Sequence, residues 1–175
     1  MIGIFGIFSL LTLPFQRRIE PSAQASSIPP APVATIGDSL DSMDAATRSR
    51  FNLQVATVRD LVVRLDEPSP AGAVTSERRA DFAQRAQRAQ GTARLMFIDK
   101  RQTLRFENFR TDNGPELRVF LSPALNAADV IDLGPLRATQ GSLNYAVPEG
   151  TDTRKYNKVL IWCNTYGVLY SYAEF

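Results

Sequence analysis

The second half of the sequence is a series of short apolar runs separated by polar turns. Several runs alternate apolar and polar residues, the period of a strand with one buried face. The segment SERRADFAQRAQRAQ has a helix-favouring composition, but we expect Phe82 to start a strand that pairs with the run TARLMFI. Short strands at this spacing predict a mainly β chain, an antiparallel β-sandwich over residues 80–175. The runs are TARLMFI, TLRFENF, LRVFLS, VIDLGPL, LNYAVP, KVLIWC and VLYSYA.

The last two runs are joined by Asn-Thr-Tyr-Gly, a four-residue loop typical of a β-hairpin. In the first of these strands Val159, Ile161 and Cys163 share one face, and Leu160 and Trp162 share the other. Because both faces are apolar, we predict a central strand, covered by the opposite sheet and by the N-terminal helix described next. Cys163 then lies at the rim, where the hairpin turns, and is expected to be partly exposed.

An N-terminal α-helix is predicted over residues 39–66, between a Pro-rich linker (26–38) and a second linker (67–79). Ser39 is the expected N-cap, and Pro68 ends the run. The apolar stripe is expected to dock on the sandwich; a coiled-coil partner, or a strand in the second half, is the alternative. Apolar and Thr residues at spacings of three and four form this stripe: Leu40, Met43, Thr47, Phe51, Val55, Val58, Val62 and Leu65.

Residues 1–25 are predicted to be a signal peptide or a hydrophobic N-terminal segment. The apolar stretch 1–15 is too short to cross a bilayer comfortably as a helix, but it has the length of a signal-peptide core. Residues 23–25, Ala-Gln-Ala, have the small-x-small form of a cleavage site. We therefore expect export to the periplasm or cell envelope, with Ser26 as the first residue. The alternative is an uncleaved tail that associates with a membrane.

The composition excludes several kinds of chemistry, because the sequence contains no His and one Cys. Ser-His-Asp and Cys-His constellations are excluded, and so is ligation of zinc or haem iron by His. One Cys forms neither an internal disulfide nor a Cys cluster. Asp112, Asn113 and Glu116 carry oxygens that suit calcium, but their spacing is that of a turn, so no metal site is predicted. A net charge of +2 gives no reason to expect nucleic-acid binding.

Three stretches resemble the DM-thirteen domain family, a proposed electron-transfer module, over residues 80–175. The family turn Asn-Gly-Pro-acidic-Leu is matched at residues 113–117, Asp-Leu-Gly-x-Leu at residues 132–136, and Trp-Cys at residues 162–163. Several blocks in the right order are more specific than one motif. The stretches are GTARLMFID…TLRFENFRTDNGPELRVFLSP, VIDLGPLRATQGSLNYAVP and KYNKVLIWCNTYGVLYSYA.

The resemblance implies a small sandwich related in architecture to DOMON domains, an extracytoplasmic setting, and electron transfer through a redox-active Cys163. It makes Trp162, Asn113 and Tyr166 candidates, together with Cys163, for contact with a cofactor. It names no cofactor, no redox or envelope partner, and no enzymatic reaction.

Many relatives carry a His before Gly-Thr-Ala, where this chain reads QRAQRAQ. If that His holds a metal or haem in the relatives, this protein does not hold one in the same way. The alternative function is a non-catalytic binding or assembly module of the cell envelope. In that module Cys163 is a buried structural residue.

Overall fold

The computed structural model describes residues 40–175, so the predicted signal segment, the linker over 26–38 and the expected N-cap Ser39 lie outside the described residues. Within the described part, no helix is both long and apolar enough to cross a membrane. In chain order the elements are α1 (Ala45–Val58), β1 (Arg64–Asp66), β2 (Val74–Asp81), β3 (Ala83–Gln84), β4 (Ala89–Ile98), β5 (Arg101–Thr111), β6 (Leu117–Ser122), β7 (Ile131–Pro135), β8 (Gln140–Ala146), β9 (Lys158–Cys163) and β10 (Val168–Glu174).

The strands form two five-stranded sheets. The order in the first sheet is β1-β8-β5-β4-β2, and the order in the second is β3-β10-β9-β6-β7. Neighbouring strands run antiparallel except β1 and β8, which run parallel. One buried apolar cluster takes side chains from both sheets. The structure confirms the predicted mainly β fold, an antiparallel sandwich with an N-terminal helix.

The first sheet begins before residue 80. β1 pairs along β8, and β2 pairs along most of β4. The predicted linker over 67–79 therefore contains the start of a strand, and Phe82 follows β2 as a buried residue instead of opening it. The helix-favouring composition of this segment is overridden because β4 offers a full ladder of backbone hydrogen bonds to an extended partner.

The helix α1 is shorter than the predicted range of 39–66. Asp44 is the N-cap, since its Oδ1 accepts hydrogen bonds from the backbone N–H groups of Ala46 (3.0 Å) and Thr47 (2.9 Å). Of the predicted stripe, Phe51 and Val55 are the buried members within the helix. The docking face is therefore narrow.

The chain leaves the helix because a distant residue holds it extended. The backbone N–H of Val63 donates to Thr139 Oγ1 (3.0 Å), and the backbone N–H of Thr139 donates to the Val63 carbonyl (2.9 Å). These bonds lead directly into β1. Leu61 and Val62, which the helical pattern places near or on the docking stripe, are consequently exposed.

The hairpin of β9 and β10 is confirmed, with Cys163 paired to Val168 across the four-residue loop. Ile161 is completely buried, as predicted for a central strand. The outer face of β9 is not covered by the helix, however. Instead Leu160 packs with Phe120, Leu169 and residues of the loop after β6. That loop folds back over the sheet because Ser122 Oγ bonds two carbonyls within it.

A β-bulge on β10 decides which way its tyrosines face. Leu169 is paired with Trp162, and Ser171 is paired with Ile161, so Tyr170 is the extra residue. Tyr170 lies in the main core, whereas Tyr172 joins the outer cluster with Trp162. Regular alternation would have placed the two tyrosines on one face.

Candidate functional site

Cys163 ends strand β9 and is completely buried. Its thiol donates to the carbonyl oxygen of Pro115, with Sγ and O 3.1 Å apart. Cys163 is paired on one side with Leu117 of β6 and on the other with Val168 of β10. The expectation of a partly exposed thiol at the rim is wrong, because the turn that contains Pro115 closes this end of the sandwich over it.

Burial raises the pKa of the Cys163 thiol to about 11, because a thiolate loses its hydration there. The backbone N–H groups of Tyr166 and Thr165 act in the opposite direction, but they do not offset the loss. The sulfur therefore carries its proton at neutral pH. A neutral, buried thiol is a poor nucleophile.

Tyr170 is also completely buried, and its hydroxyl is turned toward Cys163 and the turn. The hydroxyl forms no well-aligned hydrogen bond within residues 40–175, but the Cys163 thiol lies near enough to interact with it weakly. Burial raises the pKa of Tyr170 far above its usual range, and the nearby Cys163 and Asp112 raise it further. The phenol is therefore neutral, and it lies close enough to the thiol for the two groups to influence each other's ionisation.

The turn over residues 112–116 is held by its own polar contacts. Asp112 Oδ1 accepts a charged hydrogen bond from Arg88 Nη2 at 2.8 Å. Asn113 Oδ1 accepts from the backbone N–H of Gly114 at 2.8 Å. Glu116 accepts from the side chains of two residues of the hairpin loop, Asn164 (3.1 Å) and Thr165 (3.2 Å). These bonds use the oxygens that would otherwise suit a cation, and they fix the turn above Cys163.

Gly114 lets the turn approach the Tyr170 hydroxyl. A Cβ built on Gly114 would lie 2.1 Å from Tyr170 Oη and 2.7 Å from its Cζ. The residue does not adopt a left-handed backbone, so glycine is needed here for space and not for conformation. This gives the Asn-Gly-Pro turn of residues 113–115 a physical reason: a larger residue would push the turn away from Tyr170.

Helix α1 brings a third aromatic ring to the site. The ring of Phe51 makes edge contacts with Tyr166 at 5.3 Å and with Tyr170 at 6.3 Å between centroids. Tyr166 is partly exposed, and its hydroxyl donates to Gln54 Oε1 on the same helix. Phe51 therefore bridges a buried tyrosine and a tyrosine at the surface.

Asn113 ties the segment after the helix to the turn. Its backbone N–H and its side-chain Nδ2 donate to the carbonyls of Arg59 and Leu61, each at 3.2 Å. The chain before residue 80 thus helps to close the end of the sandwich where Cys163 lies.

Three of the four predicted site residues come together here, namely Cys163, Asn113 and Tyr166. Trp162 does not, because it belongs to the outer cluster on the opposite face of the sheet from the Cys163 side chain. The residue that sequence reasoning missed is Tyr170. Tyr170 and Tyr172 look equivalent in the sequence, and the bulge that puts them on opposite faces leaves no clear signal there.

A cavity of about 240 Å³ borders the same turn. Asn113, Gly114 and Glu116 line one side, and residues 135–139 line the other. Its volume is below the ~300–1,000 Å³ usual for small-molecule sites. Cys163, Trp162 and Tyr166 do not line it, so the predicted cofactor contacts do not meet in this cavity.

Comparison with known proteins identifies the family. The family model described as Electron transfer DM13 matches residues 81–175, more than half of the chain. No curated protein and no solved structure gives a significant match. The matched segment contains the hairpin, the turn at residues 112–116 and strand β6, which lie around Cys163, while α1 and β1 precede it. The chain therefore belongs to the electron-transfer DM13 (DM-thirteen) family.

Proposed function

We propose that this chain is an exported electron-transfer domain whose redox-active group is Cys163. The observation that carries the proposal is the position of the sequence's one thiol, enclosed beneath the turn at residues 112–116 inside the segment that matches the family. A thiol in this position does not reach a second thiol. Disulfide exchange is therefore disfavoured, and one-electron chemistry is the form of electron transfer that the site supports.

In the proposed step the thiol is oxidised by one electron. The S–H bond of Cys163 breaks, one electron passes to a one-electron acceptor at the surface, one proton passes to a base, and a thiyl radical remains. The reverse step restores the thiol. Because burial holds the pKa of Cys163 at about 11, the proton must leave together with the electron at neutral pH. No cofactor is assigned, since Cys163 is packed on every side by protein.

A second candidate function has its own support. Complete burial with a raised pKa is also what a structural cysteine shows, so a non-catalytic binding or assembly module of the cell envelope fits the same observation. The two functions differ in whether the thiol exchanges an electron.

Voltammetry separates the two functions. We expect the folded protein, adsorbed on an electrode, to show a reversible one-electron wave that Cys163→Ser abolishes. The midpoint potential of this wave should fall by about 59 mV for each pH unit, as long as one proton is transferred with each electron. The slope should flatten above a pH of about 11, where the thiol is already ionised.

The serine variant is a fair control because its hydroxyl can donate to the Pro115 carbonyl in place of the thiol. Circular dichroism should confirm that it folds. A wave that is the same in the serine variant, or no wave in the wild type, would assign Cys163 to the structural role.

Export is tested separately from the redox chemistry. The apolar start and the Ala-Gln-Ala sequence at residues 23–25 support cleavage after Ala25. Mass spectrometry of protein purified from the envelope fraction of its native cells should find Ser26 as the first residue. Protein that retains Met1 in the soluble cytoplasmic fraction would contradict export.

A further inference from the structure

We infer that Tyr170 is a redox residue of this domain, which relays the electron between Cys163 and the surface through Phe51 and Tyr166. The inference rests on the proposed function of Cys163 and adds to it a second redox group and an exit.

The first support is that packing does not explain the Tyr170 hydroxyl. It is completely buried, and within residues 40–175 it forms no well-aligned hydrogen bond, only a weak interaction with the Cys163 thiol. A phenylalanine would fill the same space without desolvating an oxygen. Buried polar groups are nearly always bonded, so one that is not calls for a role. The bulge of β10 puts Tyr170 and Tyr172 on opposite faces, so that Tyr170 alone of the two lies in the main core.

The second support is the set of groups around this oxygen. The Cys163 thiol and the Asp112 carboxylate are both near enough to shift its ionisation. Asp112 is itself almost buried and is fixed by Arg88, whose side chain is mostly exposed. The hydroxyl therefore has a hydrogen-atom donor, Cys163, and a base that is linked to the surface, Asp112, in its surroundings.

The third support is the aromatic route. Phe51 is 1% exposed and lies within edge-contact distance of both tyrosines, and Tyr166 reaches the surface of the hairpin loop. Contacts of this length keep the π systems close along the whole route. Tyr172, by contrast, belongs to the outer cluster and lies off the route.

The relay balances in two steps. First, Tyr170 gives one electron through Phe51 and Tyr166 to a one-electron oxidant, such as the metal centre of a redox protein. Its O–H proton passes through one bridging water molecule to the Asp112 carboxylate, because the hydroxyl is not hydrogen-bonded to Asp112 directly. A neutral tyrosyl radical remains. Second, this radical takes a hydrogen atom from Cys163: the S–H bond breaks, the O–H bond of Tyr170 forms again, and a thiyl radical remains. The net result is one electron on the oxidant and one proton on Asp112.

Flash-generated tris(bipyridine)ruthenium(III) serves as the oxidant in the test. In the wild type, Cys163 should be oxidised, as measured by the thiol that remains after unfolding. Tyr170→Phe should slow this oxidation by about tenfold or more, and the matched control Tyr172→Phe should leave it unchanged. In the Cys163→Ser protein the tyrosyl radical has no thiol to oxidise, so its EPR signal should accumulate and should disappear in Cys163→Ser/Tyr170→Phe.

Tyr170→Phe removes an oxygen that makes no well-aligned hydrogen bond, so the variant should fold about as stably as the wild type. Phe51→Leu, which keeps an apolar side chain but removes the bridging ring, should also slow the oxidation. If Cys163 is oxidised equally fast in Tyr170→Phe and in the wild type, the relay is wrong while the proposed function of Cys163 stands. If Cys163 is not oxidised in the wild type, both are overturned.

Discussion

Replacing Ile161 with Ala should lower the free energy of unfolding by about 2–5 kcal/mol, because it removes buried carbon atoms and leaves a cavity that the sheet cannot close. Ile161 is completely buried in β9. Its partners across the sheet are Val119 of β6 and Ser171 of β10, so backbone ladders hold it on both sides. The surrounding backbone therefore has little freedom to move into the space.

Chemical denaturation measures this loss, and Leu53→Ala provides the matched control. Leu53 also loses its side chain beyond Cβ, but it is 72% exposed on α1, so we expect a change within about 0.5 kcal/mol. The same small change for Ile161→Ala would mean that β9 is not a central strand of a packed core.

The features that local sequence predicted are those that depend on alternation and on turns. The hairpin of β9 and β10 follows from two apolar strands around a four-residue loop, and Cys163 pairs with Val168 across that loop before the bulge at Tyr170 shifts the register. Phe106 and Phe109 break the alternation by one residue in the sequence. The structure resolves this with a bulge in β5 that buries both rings.

The features that local sequence missed depend on partners far along the chain. The end of α1 is set by the bonds between Val63 and Thr139, which lie 76 residues apart. The burial of Cys163 is set by Pro115, which lies 48 residues away in sequence. A pattern of apolar residues carries no information about such contacts. The candidate site is therefore predictable in its residue types, but not in its enclosure or in the orientation of Tyr170.

The enclosure itself can be tested at Gly114. We expect Gly114→Ala to lower the free energy of unfolding by about 3 kcal/mol, at the upper end of the usual cost of overpacking. The added methyl group would lie 2.1 Å from Tyr170 Oη and 2.9 Å from its Cε2, and the ring is completely buried. The backbone of Gly114 does not require glycine, so the cost comes from the collision. Residues 113–116 of the turn are partly or fully exposed, whereas the ring is buried, so the turn should move.

A displaced turn would also uncover the thiol, because Pro115 and Glu116 hold the cover in place. Alkylation of Cys163 in the folded protein should therefore be faster in Gly114→Ala than in the wild type. Adding Tyr170→Phe removes the closest atom of the collision and should restore part of the stability. Gly150→Ala is the control. At its φ of 78° the alanine costs about 1–2 kcal/mol of backbone strain. No neighbouring atom of the described residues lies within 4 Å of the added Cβ, so the alkylation rate of Cys163 should not change. If Gly114→Ala keeps wild-type stability and wild-type alkylation, the turn does not press on Tyr170, and another part of the fold encloses Cys163.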